Sequence, residues 1–302
     1  MPVIEVTHLY KSYRDRIAVH DVSFTVEQGE IFGIVGPNGA GKTTTVECIA
    51  GLRTPDKGTV RVLGLDPRRD RAALTQCLGV QLQQSQLPEK ITVWEALDLY
   101  RSFYRAPANA RQLLADVGLA DKRDSAFSKL SGGQKQRLSI ALALVGNPKI
   151  AVLDELTTGL DPRARRETWQ LVERIRDNGI TILLVTHLME EAAELCDRIA
   201  VIDAGRVVAL DSPANLVTQA SAVQRIRFRP SAPFDDDLLA GLPQVHTVQR
   251  NGAHVLITGA DDLLYAVTAV LARNGIVASE LRVEQATLND AFISLTDHSL
   301  SH

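Results

Sequence analysis

Lys42 and Thr43 close the run Gly36-Pro37-Asn38-Gly39-Ala40-Gly41-Lys42-Thr43, which fits the phosphate-binding pattern G-x-x-x-x-G-K-[ST]. The chemistry it offers is the holding of a polyphosphate. Glycines at 36, 39 and 41 let the backbone curl so that successive N–H groups point inward, and a following helix adds the positive end of its dipole. Lys42 supplies a point charge for β- and γ-phosphates, and the Thr43 hydroxyl is placed to ligate Mg²⁺. By itself the loop specifies a nucleoside triphosphate and nothing finer.

Other residues with chemistry to offer lie downstream. Asp154 and Glu155 end the stretch Lys149-Ile150-Ala151-Val152-Leu153, apolar from Ile150 on, where Asp154 can reach the metal region and Glu155 a water attacking the γ-phosphate. His187 follows the apolar run Ile180 to Thr186, a position that a hydrogen-bonded structural histidine also fills. Leu130-Ser131-Gly132-Gly133-Gln134 sets a second pair of glycines before a helix, a second place for a phosphate. Glutamines 81, 83, 84 and 86 follow the alternating stretch from Leu78. Tyr13, just ahead of the polar turn Arg14-Asp15-Arg16, can stack on an adenine or pack half-buried.

These residues need elements to hold them. Ile31 to Val35 reads as a buried strand, followed by a helix from Lys42 to Ala50 that Gly51 ends. Residues 3 to 30 read as short strands in period two, an antiparallel edge to the nucleotide domain. A strand over Thr59 to Leu63 follows the turn Pro55 to Gly58, and Asp66 to Arg71 is a solvated loop entering a helix. From Thr92 to Gly146 the pattern is helical, an insert whose last helix is expected over Lys135 to Val145. Thr158 to Pro162 turns into a helix from Arg163 to Asp177. The run before Asp154 is apolar throughout, as in a central parallel strand, and ligands sit at the carboxyl ends of such strands.

With 302 residues, 45% of them hydrophobic, the chain can bury a full core in one large domain plus a smaller one. Lys plus Arg (33) nearly balance Asp plus Glu (36), so no strong field argues for nucleic acid. Cys48, Cys77 and Cys196 are far apart and suit a reducing cytosol as buried apolar residues, with no zinc or disulfide framework expected. No signal peptide is evident in Met1-Pro2-Val3-Ile4-Glu5-Val6, and the most apolar region, Ile140 to Leu153, is broken by Asn147, Pro148 and Lys149. No membrane crossing is expected.

In order along residues 3 to 212, these motifs resemble the ATP-binding subunit of an ABC transporter: an aromatic, Walker A, a glutamine loop, the LSGGQ signature, Walker B with its glutamate, a D-loop and a switch histidine. Leu130 to Gln134 matches the signature letter for letter. The resemblance implies that Tyr13 stacks on adenine and that Gly36, Pro37, Asn38, Gly39, Ala40, Gly41, Lys42, Thr43 and Thr44 wrap the phosphates of ATP. It makes Thr43, Gln83 and Asp154 the Mg²⁺ side of the site, with Gln81 and Gln84 as other candidates for the glutamine. Glu155 becomes the general base or water-orienting residue, and His187 the γ-phosphate sensor. Ser131, Gly132, Gly133, Gln134 and Asp161 serve the ATP of a second copy packed head to tail, so the family unit is a dimer working with an integral membrane permease. Leu156 stands where the family commonly has proline, a departure that suits drug-resistance and related exporters; Asp211 stands where glycine is frequent.

The expected fold is a P-loop α/β domain over residues 1–220, with a mixed sheet, an antiparallel edge and a helical insert at about 92–146. A small α+β module fills 221–302. There, Ile226 and Phe228 alternate with Arg225, Arg227 and Arg229, and Asn251-Gly252 marks a hairpin. Thr287 and Asp290 form a capping box, and the order β-α-β-β-α-β suggests a ferredoxin-like layer. The resemblance implies a cytoplasmic ATPase subunit, peripheral on the membrane's cytoplasmic face, that powers export. The alternative is a soluble ATPase of the same family remodelling ribosomes or nucleic acid, disfavoured by the single nucleotide domain and the charge balance.

Overall fold

Two long strands, β1 (Pro2–Tyr13) and β2 (Arg16–Glu27), open the chain as an antiparallel pair. Val22, Phe24 and Val26 of β2 are buried while their neighbours are exposed, the half-buried alternation that period two dictates. All five residues of β3 (Ile31–Val35) are buried, as befits a central strand. The description comes from a computed structural model and covers residues 1–14, 16–81, 87–220, 224–260, 262–284 and 287–297.

After β3 come α1 (Lys42–Ile49), β4 (Lys57–Val62), α2 (Arg71–Thr75) and β5 (Leu78–Gln81). The helical insert holds α3 (Val93–Arg101), α4 (Ala110–Asp116) and α5 (Gly132–Leu144). Thr92 starts α3 with a capping box: its hydroxyl oxygen accepts from the Glu95 N–H at 3.2 Å, and Glu95 accepts from the Thr92 N–H at 2.8 Å. Then follow β6 (Ile150–Asp154), α6 (Pro162–Asp177), β7 (Thr181–Thr186), α7 (Met189–Leu195), β8 (Arg198–Asp203) and β9 (Arg206–Asp211).

These nine strands form one mixed sheet in the order β4-β1-β2-β9-β8-β3-β7-β6-β5. Strands β5, β6, β7, β3 and β8 are parallel in sequence of adjacency, whereas β9 is antiparallel to β8 and β1 is antiparallel to β2 and β4. The carboxyl ends of β3, β6 and β7 are adjacent, which brings the loop after Val35, the pair Asp154-Glu155 and His187 to one edge of the sheet. The expected α/β core with an antiparallel edge is the one observed.

The chain divides into two compact units, Met1–Pro213 and Ala214–His302. Helix α8 (Pro213–Ala220) lies at this division, seven residues earlier than the expected boundary after 220. The second unit runs β10 (Gln224–Pro230), α9 (Asp237–Ala240), β11 (Val245–Asn251), β12 (His254–Gly259), α10 (Leu263–Arg273), β13 (Ala278–Glu284) and α11 (Leu288–Asp297). Its four strands are antiparallel in the order β11-β12-β10-β13, the ferredoxin-like arrangement. Ile226, Phe228, Val255 and Ile257 pack against Leu263, Val267 and Leu271. No helix among the described residues is long and apolar enough to cross a membrane.

Candidate functional site

Between β3 and α1 the chain forms the glycine loop, and its glycines serve different ends. Gly41 has φ +104°, in the left-handed region that side chains disfavour. Gly36 has no positive φ; it is required for space, since a Cβ there would meet the Ile202 carbonyl oxygen at 2.1 Å. The Lys42 side chain is buried, and its ammonium donates to the carbonyl oxygens of Gly36 at 2.8 Å and Pro37 at 3.0 Å. Burial holds the Lys42 pKa below its ordinary value, opposed by the charges of Glu155 and then Asp154. Thr45 donates back to the Gly41 carbonyl at 3.0 Å, bracing the first turn of α1.

At the end of β6, Asp154 is 2% exposed, and its backbone N–H donates to Gln81 Oε1 at 3.0 Å. Burial, reinforced by the Glu155 charge, pushes the Asp154 carboxyl up to about 6, with Lys42 pulling the other way. Glu155 takes a positive φ of 50°, a conformation that costs roughly 1–2 kcal/mol for a residue with a side chain. Its N–H donates to the Val185 carbonyl at 2.8 Å, and that bond keeps the bend in place. The Glu155 carboxylate oxygen Oε1 lies 3.2 Å from His187 Nδ1.

A cleft of about 700 Å³ opens over the loop. It gathers Tyr13, Asn38, Gly39, Gly41, Lys42, Thr43, Thr44, Glu155 and His187. Tyr13 is 36% exposed, with Lys11 Nζ at 5.5 Å and Arg53 Cζ at 5.7 Å from its ring centre. Gly36, Pro37 and Ala40 are not part of the cleft lining; Pro37 is exposed, whereas Ala40 is buried and its N–H donates to the Pro37 carbonyl at 3.2 Å. Gln83 and Gln84 lie outside the described residues.

Three lining residues escaped the sequence reading: Arg16, Ala18 and Thr158. Arg16 Nη2 donates to the Gly39 carbonyl at 3.3 Å. Its only signal in the sequence is closeness to Tyr13, because the start of β2 reaches the loop through the tertiary fold.

The signature residues are elsewhere. Ser131 caps α5, its hydroxyl accepting from the Gln134 N–H at 3.3 Å while Gln134 Oε1 accepts from the Ser131 N–H at 2.9 Å. The helix thus begins at Gly132, three residues before the expected Lys135, since Ser131-x-x-Gln134 is itself a start signal. None of Ser131, Gly132, Gly133 and Gln134 lines the cleft. Asp161 is also absent from it and caps α6, accepting from the N–H groups of Arg163 and Ala164, both at 3.0 Å.

The cleft fits a nucleoside triphosphate: a loop that Cβ atoms at Gly36 and Gly41 would obstruct, a buried ammonium beneath it, and a tyrosine at its rim. A carboxylate at Asp154 and a hydroxyl at Thr43 are hard oxygen donors of the kind Mg²⁺ takes beside phosphate oxygens.

The ABC transporter family model matches residues 19–158. The Nod factor export ATP-binding protein I of Rhizobium meliloti is 37% identical over 98% of this chain and 89% of its own length. The daunorubicin/doxorubicin resistance ATP-binding protein of Streptomyces peucetius is 35% identical over 98% of this chain and 92% of its own. Among solved structures, a dimeric post-hydrolysis ATP-binding cassette bound to ADP and Pi superimposes with a TM-score of 0.62 at 27% identity, covering 69% of this chain and 98% of that one. Identity that extends through both units, together with the fold and the cleft, leads to one conclusion: the chain belongs to the ABC transporter family, as one of its ATP-hydrolysing subunits.

Proposed function

We propose that this chain drives export through a separate membrane permease, hydrolysing ATP in a site that a second copy completes. The observation that carries the proposal is the division of the motif residues. Lys42, Glu155 and His187 line one cleft, while Ser131 to Gln134 sit away from it at an exposed helix start in the same chain. A chain so built holds one half of a site and offers the other half to a partner, which a two-fold pair turns into two equal sites. Relatives named for Nod factor export and for drug resistance support the direction of transport.

In this reading the loop N–H groups and Lys42 hold the phosphates, and Tyr13 stacks on the adenine. Thr43 and Asp154 would hold Mg²⁺, which would supply positive charge to offset that of the phosphates. Glu155 orients the attacking water and takes its proton, and His187, bonded to the same carboxylate, contacts the γ-phosphate. Positive charge from Lys42 and the start of the partner's α5 meets charge on the transferring group, so catalysis is mainly positioning and electrostatics. Closure on ATP and release after hydrolysis supply the rigid-body motion that a permease uses. The C-terminal unit acts as an accessory module of that assembly.

The test is purification of the tagged chain from detergent-solubilised membranes. An integral membrane protein that co-purifies and stimulates ATP hydrolysis is the expected result. Recovery solely with ribosomes or nucleic acid would favour the alternative ATPase class and overturn the export reading.

A further inference from the structure

Glu191 is fully buried in α7, and the motifs above give it no task. One of its carboxylate oxygens, Oε1, accepts two hydrogen bonds: from Thr157 Oγ1 at 2.8 Å and from Trp169 Nε1 at 3.2 Å. The other oxygen, Oε2, is buried and has no hydrogen-bond partner among the described residues. Thr157 is itself fully buried and Trp169 is 8% exposed, so the cluster is sealed from bulk solvent.

The places of these residues in the chain give the cluster its meaning. Thr157 stands two residues after Glu155 and four before Asp161, Trp169 lies in α6 behind the Asp161 cap, and Glu191 stands four after His187. A single oxygen thus joins the segment carrying Glu155, the helix that Asp161 starts, and the helix that follows His187. A second link between the same two helices, Arg165 Nη1 to Glu190 Oε2 at 3.2 Å, is on the surface.

A half-satisfied buried carboxylate is a poor way to stabilise a core, because the unmet oxygen carries the full desolvation cost and an apolar side chain of similar volume is often as stable. Its geometry, however, fixes three segments against one another more sharply than apolar contact does. We propose that Glu191 is a positioning residue for ATP hydrolysis, holding Glu155 and His187 in mutual register and tying both to the helix start at Asp161. The proposal rests on the assignment of Glu155 and His187 to the γ-phosphate.

The experiment compares steady-state ATP hydrolysis by the purified full chain carrying Glu191→Leu, Glu191→Gln, Thr157→Val and Trp169→Phe, with melting followed by circular dichroism. Glu191→Leu and Thr157→Val are expected to fold, to keep the KM for ATP within about twofold, and to lower kcat by about 10-fold to 100-fold, the scale of a small misplacement in a positioned site. Glu191→Gln keeps an acceptor for both donors and should restore most of the rate. The Glu191→Leu, Thr157→Val double variant should be no slower than the slower single variant, since both break one network. Unchanged kcat in both single variants overturns the proposal, as does a loss of rate that simply follows the folded fraction. Should Glu191→Leu fail to fold, Thr157→Val and Trp169→Phe decide, each removing one donor; unchanged kcat in both overturns it. Glu155→Gln in parallel separates the two levels: normal turnover there refutes the site assignment itself, whatever the Glu191 variants do.

Discussion

Replacing Gly36 with alanine isolates the claim that the loop must lie tight against the end of β8. Gly36 is outside the left-handed region, so alanine can adopt its backbone and the cost is space alone. The new Cβ would lie 2.1 Å from the Ile202 carbonyl oxygen, where ordinary contact begins at 3.4 Å. Loop and strand must therefore part by about 1.3 Å, an overpacking that costs about 1–3 kcal/mol. The larger effect falls on the rate, since a shift of about 1 Å in a positioning element can cost about 100-fold. Phosphate release measured against ATP concentration should show kcat/KM reduced by about that factor. Gly29→Ala is the control: its φ of +82° imposes strain, but nothing among the described residues lies within 4 Å of the added carbon. It should lower the melting temperature while leaving kinetics unchanged. Wild-type kcat/KM in Gly36→Ala, or equal kinetic losses in the two variants, would refute the reasoning.

Glu155→Gln should still bind ATP but turn over about 100-fold to 10,000-fold more slowly, as expected on removing a general base; a nucleotide-binding titration beside a phosphate-release assay checks both halves. Asp56 offers a pH test. The Lys11 side chain, then the Ser12 N–H, hold its carboxyl down at about 2 from an ordinary 3.8. A depressed carboxyl stabilises the fold above its unfolded pKa, and the stabilisation is lost as pH falls from 3.8 towards 2. Urea midpoints of Asp56→Asn should thus lie below wild type at neutral pH, and the gap should close across that window; a gap independent of pH would mean the contact works by packing alone.

Much of the site is legible in the sequence because phosphate chemistry demands fixed local patterns. Gly36 to Thr43 is a contiguous loop, and Asp154, Glu155 and His187 mark the ends of strands whose apolar runs identify them as central. What local pattern does not encode is proximity across the fold. Arg16, Ala18 and Thr158 reach the cleft through strand order and loop packing. Gly36 reads as one more flexible residue, although its role is to admit Ile202. Glu191 reads as an ordinary helix glutamate beside Glu190, and only burial separates the two, one sealed against Thr157 and Trp169 and the other on the surface. The start of α5 was within reach, since Ser131 and Gln134 form a reciprocal cap by local spacing.

The central claim is that ATP held at Lys42 is closed over by Ser131 of a second copy. Its most direct measurement is ATP-dependent association of two differently labelled chains, Lys42→Ala and Ser131→Arg, both carrying Glu155→Gln to suppress turnover, followed by energy transfer between the labels. A mixed pair has one site with both faults and one with neither. The account predicts that the mixture associates on adding Mg-ATP while each variant alone does not. No association in the mixture, or equal association of each variant by itself, would contradict it.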